Sequence, residues 1–368
     1  MMILIFAAFV VVCLIGVKFR PAEGAKYMTD YMSVDKTMSV KGFFIIVVFF
    51  SHFNSYVTFT SVGDQMYMDA FRTVGQCMVT MFLFYSGYGV TESVKKKGAS
   101  YIHKIPLTRI LGTYFRVAFA LILFIIMWLV FGRTFPIGRI LLSITGWETL
   151  GNSNWYIFAV VMAYLITFIS FETGNLFSKK LSPTVCNFIS AVLVTVLCCV
   201  YIHLFRFNDW QPKHWYDTMI CYVFGTWYSL LHDKIERIIN CHTVVYLLFL
   251  IGTYAGMNYF AERRKEDFEL YEMYIVFFML FVLVLTMRVS VHNKVLMWCG
   301  KNLFGLYILQ RIPMIVLKEV GLASYNKYLF FFASLAITVP LAWLFEKYTG
   351  KLWGLITSPK KKREKKTA

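Results

Sequence analysis

The feature that most constrains this chain is a succession of long apolar stretches, each near the length that crosses a bilayer, joined by short polar or basic segments. The first is Met1 to Val17. After a polar connector, ten more fall near 41–60, 75–92, 107–131, 153–171, 184–203, 216–231, 243–260, 270–287, 295–317 and 328–346. The 368-residue chain is 58% hydrophobic and 15% charged, more apolar than a soluble domain of this length needs. Lipid offers no partner to a backbone N–H or C=O, so spans of this length must close their hydrogen bonds internally as helices. A transmembrane barrel would show short alternating strands instead. The expectation is an all-α, polytopic integral membrane protein.

The net charge of +17 would suggest nucleic acid in a soluble protein. Here much of the excess sits in the tail Lys360-Lys361-Lys362-Arg363-Glu364-Lys365-Lys366, as expected of a cytoplasmic terminus beside anionic lipid. No RNP-like or zinc-finger spacing is present, so no nucleic-acid partner is expected. The cysteines (Cys13, Cys77, Cys186, Cys198, Cys199, Cys221, Cys241 and Cys299) are scattered through apolar runs without a CxxC pair, which reads as small buried hydrophobes and no metal site.

The first stretch has no basic residue ahead of it and has Lys18 and Arg20 behind it, the reverse of a cleaved signal peptide. Residues 1–17 therefore read as a membrane anchor with its N-terminus outside, and 18–40 as a cytoplasmic connector. Residues 41–346 form the ten-helix membrane domain and 347–368 a basic cytoplasmic tail. The positive-inside rule agrees. Lys18, Arg20, Lys26 and Lys36, then Lys95, Lys96, Lys97 and Lys104, then Lys179, Lys180, Lys234, Arg237, Arg288 and Lys294 share the tail's side, and the opposite loops carry fewer cations. This places the chain in the cell membrane with its C-terminus in the cytoplasm.

Five cations remain within or at the ends of the spans: Lys41, Arg109, Arg116, Lys301 and Arg311. No carboxylate falls well inside a predicted span, so a membrane interior that keeps these cations wants an anion. Lys41 opens the stretch KGFFIIVVFFSHFNSY, and His52 follows eleven residues on. On a helix that is about 16 Å of rise and almost three turns, which puts both on nearly one face, Lys41 near a membrane surface and His52 near mid-bilayer. Arg109 falls in the first turn of a helix entering from the same side, with Arg116 about two turns deeper on nearly the same face. Together they describe a basic funnel suited to phosphates. Each cation alone also fits snorkelling to headgroups. A lone histidine on an apolar face is more often a packed core group, but Ser51, Asn54 and Ser55 crowd polar groups around His52 within a turn. Ser86-Gly87, Gly300 and Gly305 suit close helix packing, and Trp155 in GNSNWYIF opens a helix at an interface, as an aromatic-belt residue does.

These residues resemble the acyltransferase-3 family of integral-membrane O-acyltransferases, which has ten core helices. Its first core helix carries a basic residue, ten intervening positions and a histidine, as Lys41 to His52 does. FLFYSGYGV is similar to its Phe-rich Ser-Gly segment, LTRILGTYF with Arg109 to its arginine-rich third helix, NSNWYIFAVVMAYLI to its Trp-Phe helix, and CGKNLFGLYILQ to its late Gly-Lys…Tyr segment. The likeness spans roughly 36–346. Two departures stand out: a single Arg109 with Pro106 before it where the family often has two arginines, and Tyr307-Ile308-Leu309-Gln310 where many members end on histidine.

The resemblance implies an acyl-CoA donor, usually acetyl-CoA, approached from the cytoplasm as a substrate and not a bound cofactor. It also implies a hydroxyl acceptor on a surface or lipid-linked glycan. Lys41, Arg109 and Arg116 would then hold the CoA phosphates, His52 would act as general base, and Ser51 and Asn54 would orient the ring or the thioester. The competing class is a transporter or flippase for an anionic lipid-linked precursor. It explains the spans and the buried cations equally well, but not the spacing of Lys41 and His52.

Overall fold

The computed structural model describes residues 2–19, 27–72 and 76–357, and the basic tail, Arg20 and Lys26 lie outside the described residues. The chain is almost entirely helical. It opens with α1 (Met2–Leu14), a short strand β1 (Lys18–Phe19), α2 (Val34–Asn54) and α3 (Val62–Arg72). A 3₁₀ turn (Gln76–Val79) leads into α4 (Thr80–Lys97) and the one-turn α5 (Ala99–Ile102); a π-helical turn (Pro106–Leu111) runs into α6 (Gly112–Val130). Then come α7 (Ile137–Thr145), α8 (Trp155–Leu176), α9 (Pro183–Asn208), α10 (Met219–Ile239), α11 (Thr243–Arg263) and α12 (Phe268–Arg288). After β2 (Val289–Ser290) the chain continues through α13 (Lys294–Lys301), α14 (Leu303–Leu309), α15 (Arg311–Glu319), the single turn α16 (Leu322–Tyr325) and the long α17 (Lys327–Thr357).

Among the described residues, six helical stretches are long and apolar enough to cross a membrane: 99–130, α8, α9, α11, α12 and α17. The chain is therefore a multi-pass membrane protein, but these six do not reproduce the count of ten core spans plus one. Two differences have plain causes. α1 has 13 residues, about 20 Å of rise, which falls short of a hydrocarbon core of about 30 Å. The stretch expected as one span over 295–317 is broken into α13, α14 and α15, with Asn302 and Gln310 at the joints.

Two boundaries moved as well. α2 starts at Val34, seven residues earlier than expected, because Ser33 caps it by accepting from the Lys36 N–H. α17 runs on through Lys347 and Lys351 to Thr357, so part of the expected tail is helix.

Close backbone contacts set the packing. A Cβ on Gly42 of α2 would meet the Leu296 carbonyl of α13 at 1.8 Å, and one on Gly300 of α13 would meet the Met38 carbonyl of α2 at 1.9 Å. The same reciprocity joins α4 and α10: a Cβ on Gly87 would meet the Tyr222 carbonyl at 2.2 Å and one on Gly225 the Phe84 carbonyl at 2.0 Å. Only glycine permits these approaches. The chain's two distant ends of the core are tied by β1 pairing antiparallel with β2. Nearby, Asn293 caps α13 through Leu296 N–H at 2.9 Å and donates to the Val12 and Ile15 carbonyls of the α1 end.

Candidate active site

A cavity of about 390 Å³ opens among α2, α4, α6, α8, α13, α14, α17 and the π-helical turn. Lys41, Arg109 and Arg116 all line it, so the structure brings together the three cations singled out in the sequence. Their surroundings differ. The Lys41 ammonium has no hydrogen-bond or ion-pair partner among the described residues. It stands two turns inside α2, because that helix begins at Val34. Arg109 sits on the π-helical turn, whose start carries Pro106. Its Nε donates to the Tyr101 hydroxyl at 3.1 Å and its guanidinium lies 5.8 Å from the Tyr164 ring centroid, but no carboxylate pairs with it among the described residues. A π turn inserts a residue into the helical repeat and is common at functional sites.

Arg116 is different. Its guanidinium is paired with Glu346 of α17, whose other oxygen accepts from the Gly305 N–H at 2.8 Å, and it covers the Phe304 ring at 4.7 Å. The expectation of cations without matching carboxylates therefore fails at Arg116. Glu346 stood at the end of the last predicted span and looked like a boundary residue; because α17 continues for another eleven residues, it lies within the helix.

The far wall of the cavity is formed by Tyr156 and Tyr307, whose ring centroids are 5.4 Å apart. His52 stands behind that wall, 6.3 Å from Tyr307 between ring centroids, and is not itself a lining residue. It occupies the last turn of α2, not its middle, since the helix ends at Asn54. Lys41 and His52 thus mark opposite parts of one helix, about 16 Å apart along its axis. His52 Nε2 makes a 3.1 Å hydrogen bond with the Ser153 hydroxyl, while its buried Nδ1 has no partner among the described residues. The Tyr307 hydroxyl approaches Ser153 and the Tyr156 backbone without forming a bond of standard geometry to either.

Ser153 was missed in the sequence. It lies in the Asn-Ser-Asn run, whose asparagines build the loop: Asn152 accepts from the Leu150 N–H at 3.1 Å and Asn154 donates to the carbonyls of Gly146 and Glu148 at 2.9 Å. Ser51 makes no side-chain hydrogen bond among the described residues, and Asn54 accepts from the Tyr67 hydroxyl at 2.7 Å, so neither touches the His52 ring by a hydrogen bond. Trp155 packs edge-on against His214 at 5.3 Å at the start of α8, beside but outside the cavity. Lys301 is exposed.

The arrangement is a multi-helix membrane protein with a cation-lined internal cavity and a histidine behind its end wall. The acyltransferase-domain family model matches residues 39–347, and the chain belongs to the acyltransferase-3 family. Comparison with curated proteins and with solved structures found no match. The protein is a membrane acyltransferase.

Proposed function

We propose that the protein is an O-acyltransferase of the cell membrane that moves an acyl group, most simply acetyl, from cytoplasmic acyl-CoA to a hydroxyl of a surface or lipid-linked glycan. The N-terminus lies outside and the C-terminus in the cytoplasm. The observation that carries this reading is the pairing of two cations without carboxylates, Lys41 and Arg109, with a tyrosine wall backed by His52. Charge-assisted hydrogen bonds from a lysine and an arginine suit phosphate oxygens. Lys41 and Arg109 hold the CoA phosphates, and the pantetheine arm lies along the cavity toward Tyr156 and Tyr307. Arg116, already neutralised by Glu346, shapes the wall and contributes less to phosphate binding.

His52 serves as the general base. The Ser153 hydroxyl holds the ring in one orientation, and base catalysis uses the tautomer that donates Nε2–H to the Ser153 oxygen, which leaves the Nδ1 lone pair free to accept a proton. The acceptor hydroxyl attacks the thioester carbonyl carbon as its proton passes to His52. The C–S bond then breaks, and the same proton goes to the departing CoA sulfur. Acyl-CoA is consumed as a substrate.

The test is incubation of the purified protein in lipid with labelled acetyl-CoA and membrane glycans, for wild type and His52→Ala. Label incorporation that disappears in the variant, with normal insertion, supports the reading. No incorporation by the wild type would leave the transporter or flippase in its place, and full transfer by His52→Ala would remove the base assignment.

A further inference from the structure

Of the five cations within or at the ends of the predicted spans, Lys301 and Arg311 do not line the cavity; Lys301 is exposed, and the surroundings of Arg311 describe a second site. Arg311 starts α15, is half-buried, and has no carboxylate partner among the described residues; its Nε donates to the Tyr56 hydroxyl at 3.1 Å. Tyr56 follows directly on the end of α2, four residues past His52, so Arg311 stands at the end of α2 that carries the histidine. Lys318, about two turns further along α15 on nearly the same face, places its ammonium 5.8 Å from the same Tyr56 ring and also lacks a carboxylate among the described residues. The neighbouring cations are neutralised: Lys327 pairs with Asp64, and Arg133 with Glu319.

Tyr56 also lines a separate cavity of about 500 Å³, bounded by Thr58, Thr60, Ser324, Asn326, Tyr328 and the Asp64-paired Lys327; Arg311 and Lys318 do not line it and adjoin it through Tyr56. The side-chain hydroxyls of Thr58, Thr60, Ser324 and Tyr328 make no hydrogen bond among the described residues. A pocket edged by free hydroxyls and tyrosine rings matches a polyol or sugar. An arginine left without a counter-ion beside it matches a negative charge on the same molecule.

We propose that this pocket is the acceptor site and that the acceptor is an anionic, hydroxyl-bearing sugar or polyol, its phosphate or carboxylate held by Arg311 with Lys318. This deepens the transferase reading and rests on it for the word acceptor. The donor reaches the tyrosine wall from the Lys41 side and the acceptor reaches His52 from the Arg311 side. The two cation sets therefore recognise different molecules.

The test is calorimetric titration of the full chain in lipid nanodiscs with glucose 1-phosphate, glucuronate and glucose, for wild type, Arg311→Gln and Arg311→Lys, with thermal melting to confirm folding. The expected result is that one or both anions bind at least tenfold more tightly than glucose, that Arg311→Gln removes the difference, and that Arg311→Lys keeps most of it. Preference for one anion identifies phosphate or carboxylate as the recognised group. Equal affinity for glucose, absence of anion binding, or a preference that survives Arg311→Gln overturns the proposal; if Arg311→Gln does not fold, the wild-type comparison still decides. Transfer from labelled acetyl-CoA, measured alongside, separates the two readings: anion binding at this pocket without transfer to any acceptor refutes the transferase and leaves the anion site standing.

Discussion

The Arg116 guanidinium of α6 and the Glu346 carboxylate of α17 form an ion pair against the Phe304 ring, and Glu346 is held from its other side by the Gly305 N–H. One carboxylate thereby ties α6, α14 and α17 together at the wall of the donor cavity. Glu346→Ala strands a cation in a partly buried position. It is expected to cost about 2–4 kcal/mol, somewhat less than for a fully buried pair, because both side chains keep some exposure. Thermal melting in detergent reads this loss, and Arg116→Leu combined with Glu346→Leu should recover part of it. A double variant no more stable than Glu346→Ala alone would contradict the pairing.

Lys41→Ala and Arg109→Ala are expected to raise the KM for acyl-CoA each by roughly 10- to 100-fold, from the loss of charge-assisted contacts of about 1.5–3 kcal/mol. Arg109→Lys should recover only part of its share, since a single ammonium cannot reproduce a planar fork. Steady-state kinetics with varied acetyl-CoA checks this; an unchanged KM in both alanine variants removes the phosphate role.

His52→Ala is expected to lower kcat by about 10²- to 10⁴-fold with little change in donor KM, the range for loss of a general base. Ser153→Ala keeps the imidazole but frees its orientation, so its loss of kcat should be smaller, with donor KM again little changed. Equal losses in the two variants would instead assign Ser153 a direct part in the chemistry.

Asp64 supplies a pH dependence outside the spans. It sits in the first turn of α3, fully buried. Burial by itself raises its carboxyl, but the Lys327 ammonium and the N–H groups of Ser61 and Thr60, at 3.1 and 3.2 Å, outweigh burial and hold it down at about 2. A folded value below the ordinary 3.8 means that Asp64 adds stability above that pH, and that the contribution is lost as pH falls from about 4 toward 2. Melting curves of wild type and Asp64→Asn should therefore differ at pH 6 and converge at the acid end. A constant gap across that window argues against the charge pairing.

The long spans were legible because lipid leaves a backbone no choice: α8, α9, α11, α12 and α17 fall where apolar length demanded them. Less legible were the features that depend on a partner far along the chain. The first two turns of α2 are polar and look like loop; only its Ser33 cap and the packing of Gly300 on Met38 make them helix. The region 295–317 reads as continuous apolar sequence, and nothing in hydropathy marks the breaks at Asn302 and Gln310. At the site, Lys41, His52, Arg109 and Arg116 stood out because a charge or an imidazole in an apolar run is costly. Ser153 carried no such signal, since a serine in a polar loop is ordinary. Glu346 was hidden by a helix that ended too early on paper, and Arg311 was visible as a cation but had no assigned partner until Tyr56 met it.

The glycine contact between α2 and α13 has a mechanical meaning. With Gly42 against the Leu296 carbonyl and Gly300 against the Met38 carbonyl, the start of α2 is clamped backbone to backbone just where Lys41 projects. From that clamp the helix runs unbroken to His52. α2 is thus a gauge of fixed length, anchored at one end and carrying the imidazole at the other. Any tilt of the helix carries both residues together, so a molecule laid against Lys41 is always measured against the same distance.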